Sequence, residues 1–277
     1  MTFRDKDAKN PYSDGRGVSG LPGGSLPGGS LPGGSLPGAG LPGAGLPPSY
    51  IPGSPASRWN QPPAPPLKTR AKSNFRRGMT FAVGYVVVIW AVHIVNFLTL
   101  GTAGQIGGIH PWDPMSFLTI FTAPLFHVNF GHLMGNTVPG AIFAFFIGLS
   151  GGRVFWEVTI FSVIVSGLGV WFFGGVGTTH LGASGVIYGW LTYLIVRGLF
   201  NRSGGQIALG LILGFVYSGL IWGVFPTTYG VSWQAHLFGA IGGFLAGMLI
   251  TSDDPPALKA ARERKKLEKL RRQQLGR

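Results

Sequence analysis

The chain has 277 residues, of which 45% are hydrophobic, 11% are charged and none is cysteine, and its formal net charge is +13. Soluble domains carry about 25% charged residues, so this composition excludes a soluble enzyme or a nucleic-acid binder as the first interpretation, despite the basic charge. Without cysteine there is no disulfide framework, no thiolate metal site and no cysteine nucleophile. The apolar residues lie between about positions 79 and 251, which is typical of a multi-pass membrane protein with polar ends.

The first 77 residues are predicted to form a disordered tail. From Leu21 onward, five consecutive units read LPGGS, LPGGS, LPGGS, LPGAG and LPGAG. Glycine resists ordering and proline interrupts helices and sheets, so a segment of this composition cannot build a core.

Six apolar stretches follow the tail, each about 18–22 residues long and therefore able to cross a hydrocarbon core of roughly 30 Å as a helix. They lie at about 79–100, 133–150, 155–175, 182–200, 206–225 and 233–251. We therefore predict an all-α membrane protein, with a bundle of six transmembrane helices over 78–252 and a basic tail over 253–277. The apolar segment 112–130 contains Pro114 and Pro124, and it is predicted to be an interfacial loop.

The basic residues alternate between the two sides of these spans. Arginine and lysine precede span one, lie between spans two and three and between spans four and five, where Arg197 and Arg202 stand, and follow span six. The loops 101–132, 176–181 and 226–232 contain neither. By the positive-inside rule both termini are cytoplasmic, and spans two, four and six begin at the outer side of what we take to be the cell membrane.

Acidic residues are almost absent from the predicted bundle. Between positions 78 and 252 the carboxylates are Asp113, in an outer loop, and Glu157, four residues from Arg153 and predicted to pair with it. This excludes an aspartyl-type intramembrane protease and disfavours an ion-coupled transporter. The motif H-E-x-x-H is also absent, which excludes that class of metalloprotease, and no metal site or cofactor is predicted.

Neutral polar residues cluster instead where spans two, four and six begin. His132 and Asn136 are four residues apart and share a helix face, while Ser184 begins span four and His236 begins span six. A stripe of small residues beside His236 lets another helix approach closely, and it comprises Ala235, Gly239, Gly243 and Gly247. If span four is that helix, His236 can reach Ser184.

This combination is chemically meaningful. A serine hydroxyl becomes a good nucleophile when a neighbouring base takes its proton, and His236 can be that base for Ser184. Acyl transfer also needs hydrogen-bond donors at the developing oxyanion. The His132 ring, the Asn136 amide and the Ser184 backbone N–H can supply them.

These motifs together resemble the rhomboid intramembrane serine proteases. They are H-x-x-x-N (His132 to Asn136) preceded by His127, G-x-S-G (Gly182, Ser184, Gly185) followed by Tyr188, and A-H-x-x-G (Ala235, His236, Gly239). The resemblance implies that Ser184 is the nucleophile and His236 the general base, that His132, Asn136 and the Ser184 amide form the oxyanion hole, and that Tyr188 supports the His236 ring. It implies cleavage of transmembrane segments of other membrane proteins, without a cofactor.

One feature departs from the family pattern. Many members carry a Trp-Arg pair in the first external loop, where spacing back from His127 gives Leu118 and Thr119 in this chain. That pair is thought to anchor the loop in lipid, so its replacement bears on the loop and not on the serine and histidine.

The expected partners are transmembrane protein substrates and the lipid bilayer, with no nucleic acid and with the oligomeric state left open. A substrate helix is expected to enter past span five, whose glycines indicate loose packing.

Two alternatives stay open. A catalytically silent rhomboid-like protein would bind membrane clients for quality control, but retention of Ser184 and His236 argues against it. A small-solute channel would carry polar residues through the full depth of the bundle, whereas here they cluster at one end.

Overall fold

The structure, a computed structural model, describes residues 67–275. The predicted disorder up to residue 66 and the last two residues lie outside the described part. Within it the chain is helical, and the only extended pairing there is an isolated bridge between Ile109 and His180. The α-helices are α1 (Leu67–Leu98), α2 (Thr102–Gly107), α3 (Phe130–Ser150), α4 (Gly152–Phe173), α5 (Ser184–Asn201), α6 (Gly204–Val216), α7 (Trp233–Leu249) and α8 (Pro256–Leu275).

Helix α1 begins earlier than the sequence pattern suggested. The predicted disordered tail ended at residue 77, and this boundary is wrong, because residues 67–77 already form the first three turns of α1. These turns are rich in lysine and arginine, which are good helix formers. Their side chains are largely exposed, so α1 begins with a polar segment that precedes its apolar part.

Three helices, α1, α3 and α4, are long and apolar enough to cross a membrane. A fourth candidate span combines α6 with a short 3₁₀ helix, Ser218–Val224, that is bent from it by 68°; we call Ser218–Val224 the cap helix. The continuous helix predicted over 206–225 is therefore wrong, since the chain turns at Tyr217. Helix α7 has 17 residues, and α5 ends in the polar residues Arg197 and Asn201; neither reaches the same length and hydropathy.

The segment 112–130 is a folded loop, as its prolines predicted. It contains two 3₁₀ helices, Pro114–Phe121 and Ala123–Leu125, and each has a proline in its first turn. Proline is favoured there because its fixed φ suits the helix and its missing N–H would have no partner. The Asp113 side chain caps the first of them by accepting a hydrogen bond from the Met115 N–H at 2.9 Å.

Helix α5 lies at the centre of the bundle. It contacts α7 and α6 as well as α4 and α3, and most of its side chains are buried. The surrounding core comprises Phe143, Ile147, Val158, Ile187, Trp190 and Leu194, among others. Arg197 belongs to this buried set, so its predicted position in a loop is wrong; its side chain is neutralised by aspartates that follow α7.

Helices α5 and α7 run in the same direction. Their first turns meet at Ser184 and His236, and their ends meet where Arg197 contacts Asp253. We refer to these as the site end and the far end of the bundle.

Candidate active site

The side chains of Ser184 and His236 face each other across the interface of α5 and α7. Ser184 is the first residue of α5 and His236 stands in the first turn of α7. The distance from His236 Nε2 to Ser184 Oγ is 2.8 Å, which is a good hydrogen bond. His236 is also 8% exposed, so most of its ring is shielded from water.

Glycines bring the two helices this close. A Cβ built on Gly239 would lie 2.0 Å from the Gly185 carbonyl oxygen, and one built on Gly243 would lie 1.9 Å from the Gly189 carbonyl oxygen. Real side chains never approach a backbone so closely, so no residue other than glycine fits at either position. The small-residue stripe therefore faces α5, as its spacing predicted.

The other ring nitrogen of His236 is also bonded. The distance from Nδ1 to the carbonyl oxygen of Gly223, in the cap helix, is 2.9 Å. The Tyr188 ring stacks on the His236 ring, with centroids 4.1 Å apart and planes inclined by 9°. The Tyr188 hydroxyl donates to the Leu220 carbonyl, also in the cap helix, at 2.5 Å.

His132 and Asn136 lie on the face of α3 that lines the same cavity as Ser184. The His132 ring fits against Gly182, where a Cβ would lie 2.5 Å from His132 Cε1 and where φ is +129°. Glycine is required on both counts. The Asn136 amide nitrogen is buried and has no hydrogen-bond partner among the described residues. It is thus a donor available to a group in the cavity.

His127 is placed behind His132 and not in the cavity. It is fully buried, and its ring centroid lies 5.1 Å from that of His132. Burial, and to a smaller extent the neighbouring His132, lower the pKa of His127 to about 3. His127 is therefore a neutral side chain at physiological pH, and it supports the His132 ring by packing.

The cavity at the site end has a volume of about 880 Å³. Neutral groups line it, and none of its described lining residues is Asp, Glu, Lys or Arg. Among residues 67–275, no group of three His, Asp or Glu side chains is arranged to hold a metal ion. The chemistry available here is that of a hydroxyl, imidazoles and amides.

A second histidine network joins the starts of α5 and α7, and the sequence interpretation did not identify it. Thr178 Oγ1 donates to the Gly175 carbonyl, so His180 Nε2 donates to Thr178 at 2.8 Å and His180 Nδ1 accepts from Ser232 Oγ at 2.7 Å. Ser232 in turn caps α7 by accepting from the Ala235 N–H. Burial, and secondarily His110, lower the pKa of His180, which keeps this network neutral.

The remaining motif residues help to pack the site. The Ala235 carbonyl accepts a hydrogen bond from Ser166 Oγ on α4 at 3.0 Å. A Cβ on Gly185 would lie 2.1 Å from Ser166 Oγ and 3.0 Å from the Ala235 carbonyl oxygen. In the first loop, Leu118 is 72% exposed. Thr119 donates to the Gly108 carbonyl at 2.7 Å, and this hydrogen bond links two parts of the same loop.

The sequence interpretation missed the contacts of Ser232 and of the Gly223 carbonyl, and only the first could have been predicted. Ser232 stands three residues before Ala235 at the start of an apolar helix, which is a readable N-cap signal. The Gly223 carbonyl left no comparable signal, because every residue has a carbonyl and only the fold determines which one reaches His236.

The helices and the site define a multi-pass integral membrane protein with a serine and a histidine joined at one end of the bundle. Comparison with known proteins identifies the class. The Rhomboid domain matches residues 114–253, half of the chain and all of the motifs described above. The chain therefore belongs to the rhomboid family.

Its relatives include several uncharacterized mycobacterial proteins. A Mycobacterium tuberculosis protein is 37% identical over 205 residues, covering 71% of this chain and 85% of the relative. A Mycobacterium bovis protein has the same identity and coverage. A Mycobacterium leprae protein is 34% identical over 198 residues, covering 69% of this chain and 78% of the relative.

Proposed function

We propose that this protein is an intramembrane serine endopeptidase that cleaves transmembrane segments of other membrane proteins. The observation that carries the proposal is the 2.8 Å contact between His236 Nε2 and Ser184 Oγ in a cavity without charged lining residues. Rhomboid-family membership supports the same reaction, because the family consists largely of serine proteases of this kind.

The proposed reaction begins when Ser184 Oγ attacks the carbonyl carbon of the scissile peptide. Its proton passes to His236 Nε2, which then delivers it to the leaving amine as the acyl-enzyme forms. Water gives a proton to His236 and attacks the acyl carbon, and the proton returns to Ser184 as the acid product leaves. General-base assistance of this type contributes about 10²- to 10⁴-fold to the rate.

The oxyanion formed in each half of the reaction needs donors. The proposed oxyanion hole consists of three donors near Ser184 Oγ. They are the His132 ring, the unpartnered Asn136 amide and the Ser184 backbone N–H. The Ser184 N–H belongs to the first turn of α5, where backbone N–H groups have no partner within the helix. The partial positive charge of that helix start adds to the stabilisation.

In this proposal six segments cross the membrane, namely α1, α3, α4, α5, the α6–cap-helix pair and α7. The alternation of basic loops places both termini in the cytoplasm and the cavity toward the outside, in the cell membrane. The proposed domains are the Gly/Pro-rich tail, the membrane domain and the basic tail that contains α8. Water then reaches the serine from the outer side.

A substrate helix would enter beside α6, whose outward-facing apolar side chains are exposed. The exposed fractions of Leu211, Ile212, Phe215 and Val216 lie between 60% and 83%. The rings of Phe143 on α3 and Tyr217 lie 4.9 Å apart. Crosslinking cysteines at these two positions should abolish cleavage of a transmembrane substrate, and full cleavage by the crosslinked protein would exclude this route.

The direct test is reaction with a fluorophosphonate, which modifies an activated serine and needs no knowledge of the substrate. Wild-type protein in mild detergent should be labelled, whereas Ser184→Ala and His236→Ala should not. Ser203→Ala is the matched control, since its side chain makes no capping bond at the start of α6; this variant should label like wild type.

The outcomes separate the proposed function from its alternative. Labelling that persists in Ser184→Ala would place the nucleophile elsewhere. A folded wild-type protein that does not react would favour the silent, client-binding alternative. Labelling that depends on both Ser184 and His236 would leave the substrate as the next question.

A further inference from the structure

The cap helix (Ser218–Val224) contacts both rings of the site through its backbone. The Gly223 carbonyl lies 2.9 Å from His236 Nδ1, and the Leu220 carbonyl accepts from the Tyr188 hydroxyl at 2.5 Å. Because the Tyr188 and His236 rings are stacked, one short helix holds the whole stack at two points.

The contact to Gly223 decides which nitrogen of His236 carries the proton. A carbonyl oxygen can only accept, so Nδ1 must carry the hydrogen. Nε2 of the neutral ring is then unprotonated, and it accepts from the Ser184 hydroxyl. This is the tautomer that a general base toward Ser184 requires. In serine hydrolases with a triad, a carboxylate holds the histidine in this form, and no carboxylate lines the cavity here.

Glycine at position 223 is what allows the carbonyl to approach. A Cβ there would lie 2.0 Å from the Tyr188 hydroxyl oxygen and 2.9 Å from His236 Nδ1. Gly219 lies in the same helix, but a Cβ there would meet nothing within 4 Å. The two glycines therefore differ in their surroundings and share the same secondary structure.

The rest of the cap helix is held weakly. None of its residues is buried, and Ile221 and Trp222 are 60% and 69% exposed. It also follows the 68° bend after α6, and within it the half-buried Leu220 packs against the core. The position of the cap helix therefore depends on the Leu220 contact and on the two hydrogen bonds to the stacked rings.

We propose that Gly223 is a positioning residue whose carbonyl fixes the His236 tautomer, so that the site is competent only while the cap helix is seated. The inference rests on the proposed function. A substrate that displaces the cap helix on entry would then leave His236 without its acceptor until the helix returns. Entry and chemistry become successive steps controlled by one segment.

The test compares Gly223→Ala with Gly219→Ala, two identical changes in one helix. The first measurement is the second-order rate constant of fluorophosphonate labelling. We expect Gly223→Ala to lower it by about 10- to 100-fold, part of what a general base contributes, and Gly219→Ala to leave it within about twofold. Equal rates for Gly223→Ala and wild type, or equal losses in both variants, would overturn the proposal.

The second measurement is the ¹⁵N NMR spectrum of the histidine rings, with the His236 signals assigned by their loss in His236→Gln. Wild type should show His236 protonated at Nδ1, and Gly223→Ala should show a mixture of tautomers. A wild-type ring protonated at Nε2 would contradict the proposal. This measurement does not depend on activity. A wild-type protein that fails to react with the fluorophosphonate would contradict the proposed function, but the effect of Gly223 on the His236 tautomer would still be measured.

A further variant covers the case in which Gly223→Ala does not fold. Tyr188→Phe keeps the stacked ring and removes only the hydroxyl that anchors the cap helix at Leu220. We expect severalfold slower labelling and a partial loss of the Nδ1-protonated form. An unchanged tautomer in this variant and an unchanged labelling rate would show that the cap helix does not position His236.

Discussion

The two ends of the α5–α7 pair are held together by opposite means. At the far end, Arg197 contacts Asp253, lies 2.6 Å from Asp254 and donates to the Gly247 carbonyl at 3.0 Å. Arg262 of α8 reaches the same Asp254 at 2.7 Å. At the site end the contacts are those of neutral groups, and the helices approach through glycine.

This difference agrees with the proposed function of the site end. A buried ion pair fixes two helices strongly, because separating its charges leaves them without solvent or partner. Charges beside Ser184 would instead compete for hydrogen bonds with the reacting groups. The ion pairs of Arg197 with Asp253 and Asp254, which we call the clamp, and the glycine contacts thus set the spacing of α5 and α7. Ser184 and His236 are therefore aligned without any charged side chain beside them.

The largest effect is expected from breaking the far-end clamp. Arg197→Ala leaves the buried Asp253 carboxylate without its arginine and Asp254 with Arg262 alone, and removing one partner of a buried pair costs about 3–5 kcal/mol. Arg153→Ala is the control, since its pair with Glu157 is largely exposed and is worth at most about 1 kcal/mol. Thermal unfolding in detergent measures both, and equal stabilities of the two variants would show that the clamp does not hold α5 and α7.

A smaller effect is expected from widening the helix contact at mid-span. Gly243→Ala pushes a methyl group into the Gly189 backbone, where nothing flexible can yield, and such overpacking costs about 1–3 kcal/mol. Labelling of Ser184 should fall as well, because α5 and α7 move apart. Gly84→Ala on α1 meets nothing within 4 Å, so it should retain wild-type stability and labelling; a Gly243→Ala protein as reactive as this control would contradict the role of the stripe.

A third effect concerns pH at the site end. The pKa of His127 is lowered to about 3 in the folded protein, whereas an unfolded histidine titrates near 6.5. The unfolded chain therefore binds the proton first, and stability falls as pH drops below about 6.5, by up to about 1.4 kcal/mol per unit until pH nears 3. His127→Gln should flatten this slope between pH 6 and 5 relative to wild type. An equally steep slope in the variant would assign the acid sensitivity to another group.

How far the sequence predicts this molecule differs between its features. The glycine stripe was predictable, because helix periodicity places its residues on one face of α7. The approach of His236 to Ser184 was predicted through the resemblance to the rhomboid family. The burial of Arg197 was not, since its aspartate partners lie more than 50 residues away and follow a different helix. The bend at Tyr217 and the Gly223 contact were missed for a related reason: apolar composition reports that a segment is buried in lipid, but not where its backbone turns.

The smallest effect is expected from removing the N-terminal repeats. Deleting residues 1–66 leaves α1 with its exposed basic first turns and removes no residue of the Arg197 ion pairs, the glycine contacts or the cavity lining. Labelling and substrate cleavage should therefore stay within about twofold of the full chain, as expected for a tail whose Gly/Pro composition cannot build a core. The comparison should be made at equal amounts of inserted protein. If the correctly inserted, folded truncation still labelled but no longer cleaved a transmembrane substrate, the repeats would be assigned to substrate capture, and the proteolytic unit would extend beyond its helices.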